Sequence, residues 1–424
     1  MILHLDLDTF FVSAHRSIDS SLYNKPVAVG SRSNLKIFDK QKVGIKLYNT
    51  NSGAFVNPIF YNDKNISFKS FFVDIINNKE KIRGIITTAS YEARAFGVKT
   101  GMSIDEALRR CPNLKVLPPK YLLYHELSHK LHLFLKEEIP EVEQFSIDEF
   151  FGDVTGLVED DEVMEFAHYL KSSIYAKFNL PISIGISSGK WIAKLATDFA
   201  KPDGIYLVKK DEIENFIKDI KIKKFPGIGR GFEKRLKKYF IYTLEEASKN
   251  RELFYRWKKP GIQLYHRIIG DDHEGISKKN DRKSIGISRT FDPIKSRKEI
   301  KRRIMILARH ITYLVLKQKV NPTTYYLKMN YDNGLRSRGR KTVDRLFNEQ
   351  LCKDSFLKIF MEIDLSYGFI TKISMSVSNF SYQKLKALSL IDFQNDYKQK
   401  KITASLQKLR EKYSLDIVKS GSEL

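Results

Sequence analysis

The chain has 424 residues, 42% hydrophobic and 12% aromatic, enough to bury about two to four domain cores and to exclude a disordered polymer. Lys and Arg number 74 against 50 acids, a net charge of +24 with a pI near 9.6; this favours a polyanionic partner, nucleic acid or an anionic membrane surface, unless it only reflects a lysine-rich proteome. Cys111 and Cys352 lie outside any metal-ligand spacing, which argues against a disulfide framework or a zinc site, and no run approaches a membrane span, so the expected compartment is the reducing cytoplasm.

In chain order, "HLDLD" and "KPVAVG" predict strands flanking a short helix that starts near Phe10. Residues Ser31 to Arg83 follow, rich in Asn, Lys and Phe and without clear periodicity. "GIITTASYEARAFG" predicts a strand running into a helix, and "SIDEFFGDVTG" a strand pair around an acidic turn, with a helix from Asp161 to Phe178 after it. "PISIGISS" predicts another strand and "GKWIAKLATDFA" a helix stopped by Pro202 and Gly204. From "FPGIGRGFEKRLKKYF" to about Gly275 the chain reads as helical and basic. "KKNDRKSIGISR" reads as a charged linker into alternating strands and helices, of which "TTYYLKMNY" and "KISMSVSNF" are the clearest strands, and "KITASLQKLREKY" as a helical tail.

The first strand poses a puzzle, because Asp6 and Asp8 interrupt an apolar run and carboxylates are seldom buried without partners. Asp148 and Glu149 in "FSIDEFF" are adjacent, so they share a site only at a turn or twist. If that turn lay beside the first strand, three carboxylates would converge, and their repulsion would call for cations. Oxygen ligands without His or Cys suit Mg²⁺, and a pair of such ions can clamp the attacking and leaving oxygens of nucleotidyl transfer. Taken singly, each acid reads better as a solvated strand-end residue.

Together, "LDLDTFF", "ASYEARAFGVKTGM", "FSIDEFFGDVTG", "ATDFAKPDG" and "FPGIG" resemble, in order, the signature segments of Y-family translesion DNA polymerases, with wording similar to the bacterial DNA polymerase IV (ImpB/MucB/SamB-type) branch. The resemblance runs from Met1 to about Phe380, apart from Ser31–Arg83. It implies an α+β multidomain, right-hand polymerase: a palm of mixed sheet and helices at 1–10 and 120–209, and fingers at 11–119 holding the 31–83 insertion. A helical thumb with a helix-hairpin-helix at 210–277, an α/β little finger at 284–381 and a tail at 382–424 complete it.

Carried over residue by residue, the resemblance makes Asp6, Asp148 and Glu149 catalytic ligands of two Mg²⁺ ions, with the Leu7 carbonyl completing one coordination sphere and Asp8 in a structural role. Phe11 matches the steric gate that packs under the sugar and favours deoxynucleotides, whereas Phe10 reads as ordinary core. Tyr91 and Arg94, three apart and hence on one helix face, would hold the β- and γ-phosphates with Lys201, and Thr88 would be a fourth contact. Without the motif order, Arg94 reads as solvated surface and Lys201 as a cation at a helix C-terminus. Lys190 and Lys194 read either as DNA contacts or as solvated. "FPGIGRGFEKRL" has the form of a helix-hairpin-helix turn in which Gly227 and Gly229 admit a DNA phosphate, and "KKPGIQLYHRIIGDD" reads as a degenerate second copy. The basic stretches "RKSIGISRTFDP" and "NGLRSRGRKTVDR" would track phosphates in a salt-sensitive way.

The implied activity is low-fidelity DNA-directed DNA synthesis past lesions, without proofreading, in DNA repair or an SOS-type damage response. Its partners would be primer-template DNA and deoxynucleoside triphosphates, with the protein a monomer off the membrane. The tail "KALSLIDFQ" resembles the clamp-binding peptide of bacterial polymerases through Leu388 and Leu390, although Ala387 and Ile391 replace its Gln and Phe, which brings in the replication sliding clamp as a partner. A tail packed on its own domain is an equal reading. The competing functions are a non-catalytic adaptor of the same fold that binds DNA or the clamp, expected to lose the acids, and a nuclease or cyclase on a related palm, which needs neither the hairpin turn nor the basic last section.

Overall fold

The computed structural model describes residues 1–33, 35–39, 46–47, 59–60, 67–76, 79–272, 274–276, 282–381 and 390–424. The chain forms two compact units, Met1–Ser31 with Thr50–Val56 and Ser67–Asn280, and Arg32–Asn49 with Asn57–Ile66 and Asp281–Leu424.

The first unit is built on a five-stranded sheet in the order 205–208, 182–187, 2–7, 149–153, 141–144, with strand Ile2–Leu7 between two antiparallel neighbours. The period-2 pleat resolves the puzzle of that strand. Leu3, Leu5 and Leu7 pack into a core with helices Tyr121–Glu138 and Val163–Phe178. His4 and Asp6 alternate with them and engage instead the helix Lys190–Ala200 and the residue just beyond it, through Thr197 and Lys201. That helix lies tight on the sheet because Gly185 has no side chain; a Cβ there would meet the Ala193 carbonyl oxygen at 2.1 Å. The strand pair expected within "SIDEFFGDVTG" lies earlier: that segment holds one strand, Glu149–Asp153, whose partner Glu141–Gln144 precedes it, so Asp148 closes the turn and Glu149 opens the second strand.

A three-stranded sheet in the order 85–89, 27–31, 115–117 carries the helices Tyr91–Ala95 and Ile104–Arg110 around a small core with Phe72 at its centre. Short helices between Ile213 and Ile268 enclose Leu236, Phe254 and Leu264. Here one expectation is corrected. Pro260 and Gly261 lie within the first turn and a half of the helix Lys258–Ile268, where proline is tolerated, so the stretch is no second hairpin turn.

In the second unit a four-stranded sheet, 284–294, 370–381, 321–331, 336–342, is covered on one face by helices Arg297–Lys317 and Glu349–Ile363. Alternation leaves Lys328, Arg336, Arg338, Arg340 and Lys372 away from that core, in register across three strands. The helix Leu390–Lys412 and the residues after it are bound to the same unit by buried ion pairs. Arg309, fully buried, meets Asp416 and Glu423 at 2.8 Å each, Lys353 meets Glu423 at 2.7 Å, and Arg410 pairs with Glu349. The self-packed reading of the tail therefore holds for its described part. The clamp reading falls outside the described residues at Leu388, and at Leu390 only the backbone, which opens the helix, is described.

The insertion departs from its expected place wholly within the fingers. Of its described residues, 32–33, 35–39, 46–47 and 59–60 belong to the second unit, while those from Ser67 on, with helix Phe68–Phe72 and strands Val73–Ile76 and Lys79–Ile82, belong to the first. The reason is burial: Ile37 and Phe38, in a short turn with no visible periodicity, complete the core of the second unit.

Candidate active site

Three separate segments meet at the C-terminal end of the first strand. Asp6 stands opposite Glu149 in the antiparallel register, and the Leu7 amide donates to the Asp148 carbonyl at 3.0 Å. The acids feel one another. Burial, opposed by Lys201 and reinforced by Glu149 and Asp148, raises the Asp6 carboxyl from its ordinary range to about 7. Burial, with Glu149 adding to it, also raises Asp148, although Ser146 donates a hydrogen bond to its carboxylate.

Each of the other two acids is held by a lysine. Lys201 Nζ donates to Asp6 Oδ2 at 2.6 Å and Lys194 Nζ to Glu149 Oε1 at 2.7 Å. Burial would lower Lys201, but the Asp6 carboxylate beside it outweighs this and keeps it raised. His4, fully enclosed, is driven well below its usual value by burial and by Lys194, so it is a neutral imidazole bonded to Thr197 Oγ1 at 2.8 Å. Two ammonium groups thus sit on a cluster of hard oxygen donors. This donor set fits Mg²⁺ or a similar divalent ion. Among the described residues no three acidic, His or Cys side chains form a ready-made cage; Asp6 and Glu149 are drawn to different lysines and Asp148 to Ser146, so these pairs would open on loading.

Asp8, just past the strand, is 2% exposed and is satisfied by three donors. Tyr91 Oη donates to Oδ1 at 2.7 Å, while Ser183 Oγ and the Asp203 amide donate to Oδ2 at 2.7 and 2.8 Å. The structural role expected of Asp8 is therefore specific: it ties the Tyr91 helix, the Ser183 strand and the turn after Lys201 to one carboxylate. Arg94 extends from the same helix as Tyr91, its guanidinium 5.0 Å from the tyrosine ring centroid and its Nε on the Ala89 carbonyl at 3.0 Å. Thr88 is half-buried on the strand leading into that helix.

Phe10 is core, 1% exposed, as expected. Phe11 is half-buried and stacks on Tyr124 with ring centroids 4.4 Å apart and planes at 17°. Tyr124 is itself pinned by His15 Nε2 at 2.8 Å, so the exposed side of the Phe11 ring has a rigid backing. Apart from this cluster, Gly227 adopts φ +98°, a conformation that favours glycine, and Gly229 caps the basic helix Arg230–Lys237, with nothing within 4 Å of where its Cβ would be.

Comparison with known proteins gives the chain a family. Residues 62–198 match the impB/mucB/samB family and residues 282–390 that family's C-terminal domain, together more than half of the chain. A DNA polymerase IV of Bacillus anthracis is 26% identical over an alignment covering 100% of this chain and 93% of that protein. A DNA polymerase IV of Streptococcus thermophilus is 27% identical, covering 92% of this chain and 96% of the relative. The chain belongs to the Y family of DNA polymerases. The solved structure of a Y-family DNA polymerase chimera shares the fold, with a TM-score of 0.69 at 21% identity over 90% of this chain and 99% of the other.

Within this Y-family chain, the sequence reading selected the acids, Tyr91, Arg94 and Lys201, and the fold brings them to one corner. It left Lys194 open between DNA and solvent, where the structure pairs it with Glu149, and it passed over His4, Ser183, Tyr124 and His15. A signal for Lys194 was present: it lies seven residues before Lys201, two helical turns along the same face. Lys190, left open between DNA and solvent, is neither at a solvated position nor free, since it is buried and paired with Glu143.

Proposed function

We propose that this chain is a DNA-directed DNA polymerase that copies damaged template at low fidelity, with Asp6, Asp148 and Glu149 as its catalytic carboxylates. The observation that carries the reading is the junction of Asp6, Glu149 and Lys201, residues remote in sequence, with Tyr91 held beside them on Asp8. Asp6, Asp148, Glu149 and the Leu7 carbonyl would hold two Mg²⁺ ions. When bound, the ions would supply charge neutralisation at the attacking 3′-hydroxyl and the leaving pyrophosphate. Lys201, Arg94, Tyr91 and Thr88 orient the triphosphate, Lys201 as a point charge and Arg94 as a planar fork. The Phe11 ring, backed by Tyr124, meets the sugar and leaves no room for a 2′-hydroxyl. Positioning and charge stabilisation account for the rate, since no residue of the chain needs to form a bond to substrate.

The DNA partner rests on two features, each within its own unit. The turn at Gly227 and Gly229 opens backbone amides at the start of a basic helix, and Arg336, Arg338 and Arg340 line the sheet face away from the core. Both suit sequence-independent phosphate contact and a strong salt dependence. The palm, fingers, thumb and little-finger boundaries given above, apart from the insertion, complete the reading, with a monomeric protein in the cytoplasm; no described helix is long and apolar enough to cross a membrane. The sliding clamp is proposed as a further partner on the tail sequence at Leu388 and Leu390 alone. An adaptor has no use for a retained acid cluster, which disfavours that alternative.

Primer extension with Mg²⁺ on undamaged and abasic templates tests the reading. Asp148→Ala should abolish incorporation and leave DNA binding within about twofold, since the acid contributes no phosphate contact. Normal extension by that variant would falsify the assignment of the carboxylates.

A further inference from the structure

Residues 31–83 interrupt the resemblance on which the polymerase reading rests, and nothing in that reading uses them. The first described residues of this insertion are not a loop over their own domain. Ile37 and Phe38, 2% and 3% exposed, are buried in one core with Phe291, Ile300 and Ile304 of the second unit, and Leu35 packs against it. The Phe38 ring meets Phe291 edge-on, centroids 6.4 Å apart at 90°. The Arg303 guanidinium lies 4.4 Å from the Phe38 centroid and 4.6 Å from that of Phe291.

Polar contacts fix the register of this seat. Arg302 Nη2 donates to the Phe38 carbonyl at 2.7 Å, and the Thr290 amide to Ser33 Oγ at 3.2 Å. Glu299, in turn, holds both Arg302 and Arg303 at 2.7 Å. A segment with two side chains this completely enclosed, an aromatic ring covered by an arginine, and a satisfied carbonyl is a docked peptide. It is inserted in sequence between strands 27–31 and 85–89 of the first unit, yet it is part of the second unit's core.

We propose that the second unit carries a binding groove for Ser33 and residues 35–39 of the insertion, formed by Phe291, Ile300, Arg302, Arg303 and Ile304, and that this hook is a second attachment between the units besides the chain passage at Asn280–Asp281. The occupant is this chain's own segment, recognised through a Phe ring and a backbone carbonyl. The attachment is mainly apolar, so screening of charge should leave it intact.

The test uses the full-length protein with a protease site inserted at Asn280–Asp281. After cleavage, fragments 1–280 and 281–424 should co-elute in size exclusion, at low salt and at about 1 M salt, where electrostatic contacts are screened within about 3 Å. Phe38→Asp, and separately Phe38→Ala, should release the second fragment, weakening association by about a hundredfold or more, as expected for losing a buried aromatic. Since Phe38 lies in the short turn Lys36–Phe38 and in none of the described strands, the uncleaved variants should keep the wild-type far-ultraviolet circular dichroism. Arg302→Ala on the groove side should weaken association more modestly. Separation of the cleaved wild-type fragments would overturn the proposal, as would co-elution of the cleaved Phe38→Asp protein at wild-type strength. Neither outcome touches the polymerase reading, which primer extension tests independently.

Discussion

Asp8 offers the sharpest quantitative test of the active-site geometry. Replacing it with Asn keeps the shape and removes the charge. Two donors, Ser183 Oγ and the Asp203 amide, face one oxygen, and one donor, Tyr91 Oη, faces the other. The amide will therefore turn its carbonyl towards the two donors and its NH₂ towards Tyr91, which must accept instead of donate. The loss of charge assistance in this buried place should cost about 1.5–3 kcal/mol. Tyr91→Phe removes the same bond from the other side, so the two substitutions should couple by about 1.5–2 kcal/mol in a double-mutant cycle. Urea unfolding without DNA or metal provides the assay, and its fluorescence reports the first unit alone, because the two tryptophans, Trp191 and Trp257, both lie in it. Costs that add to within about 0.5 kcal/mol would refute the idea that the Asp8–Tyr91 bond holds the phosphate-binding helix in place.

Three further outcomes are expected. Phe11→Ala should admit ribonucleotides more readily in single-nucleotide incorporation, and unchanged sugar discrimination would remove Phe11 from the gate. His15, backing that gate through Tyr124, is lowered from 6.5 to about 4, mainly by burial. Because its folded value lies below the unfolded one, stability is full above about pH 6.5 and falls as pH drops towards 4, by about 3 kcal/mol in all. His15→Gln should flatten this part of the pH–stability curve in denaturant titrations, and an unaltered slope would count against it. Glu423→Ala should destabilise the second unit by about 3–5 kcal/mol, because Arg309 and Lys353 each lose a buried partner, and hydrogen exchange in helix Arg297–Lys317 reads the loss.

The legible parts of this protein were those where local pattern and function coincide. The alternation of Leu3, Leu5 and Leu7 with Asp6 marks a strand with one apolar face, and the adjacency of Asp148 and Glu149 demands a turn, which is found between Gln144 and Glu149. The partners of these acids were not legible. Ser183 reaches Asp8 across 175 residues and leaves no local trace, while Lys194 reaches Glu149 across 45 and is hinted at only by its spacing from Lys201. The insertion was illegible for a different reason. Three apolar residues in a short turn have no period, and only the second unit's core, built from residues beyond 284, gives Ile37 and Phe38 a reason to be buried. The misread "KKPGIQLY" shows the opposite error: a Pro-Gly pair reads as a turn, but near a helix start proline needs no amide partner, and the helix simply includes it.

The pairing within the corner bears on how substrate enters it. Lys201 is on Asp6, Lys194 on Glu149, and the single phenolic proton of Tyr91 is committed to Asp8. Of these, Lys201 and Tyr91 are the groups proposed to grip the triphosphate, so each grips an acid of the same corner before substrate arrives. Buried charges left bare would cost several kcal/mol, and the pairs avoid that cost while keeping every side chain close to where it is needed. Binding a polyanion with its divalent cations is then an exchange of partners with little change in net local charge. On loading, Lys201 would pass from Asp6 to phosphate as Asp6 and Glu149 passed from lysine to metal, and the Tyr91 hydroxyl would donate to a phosphate only by leaving Asp8. The site is consequently poised for metal and nucleotide together, since either one alone would leave one set of charges unmatched.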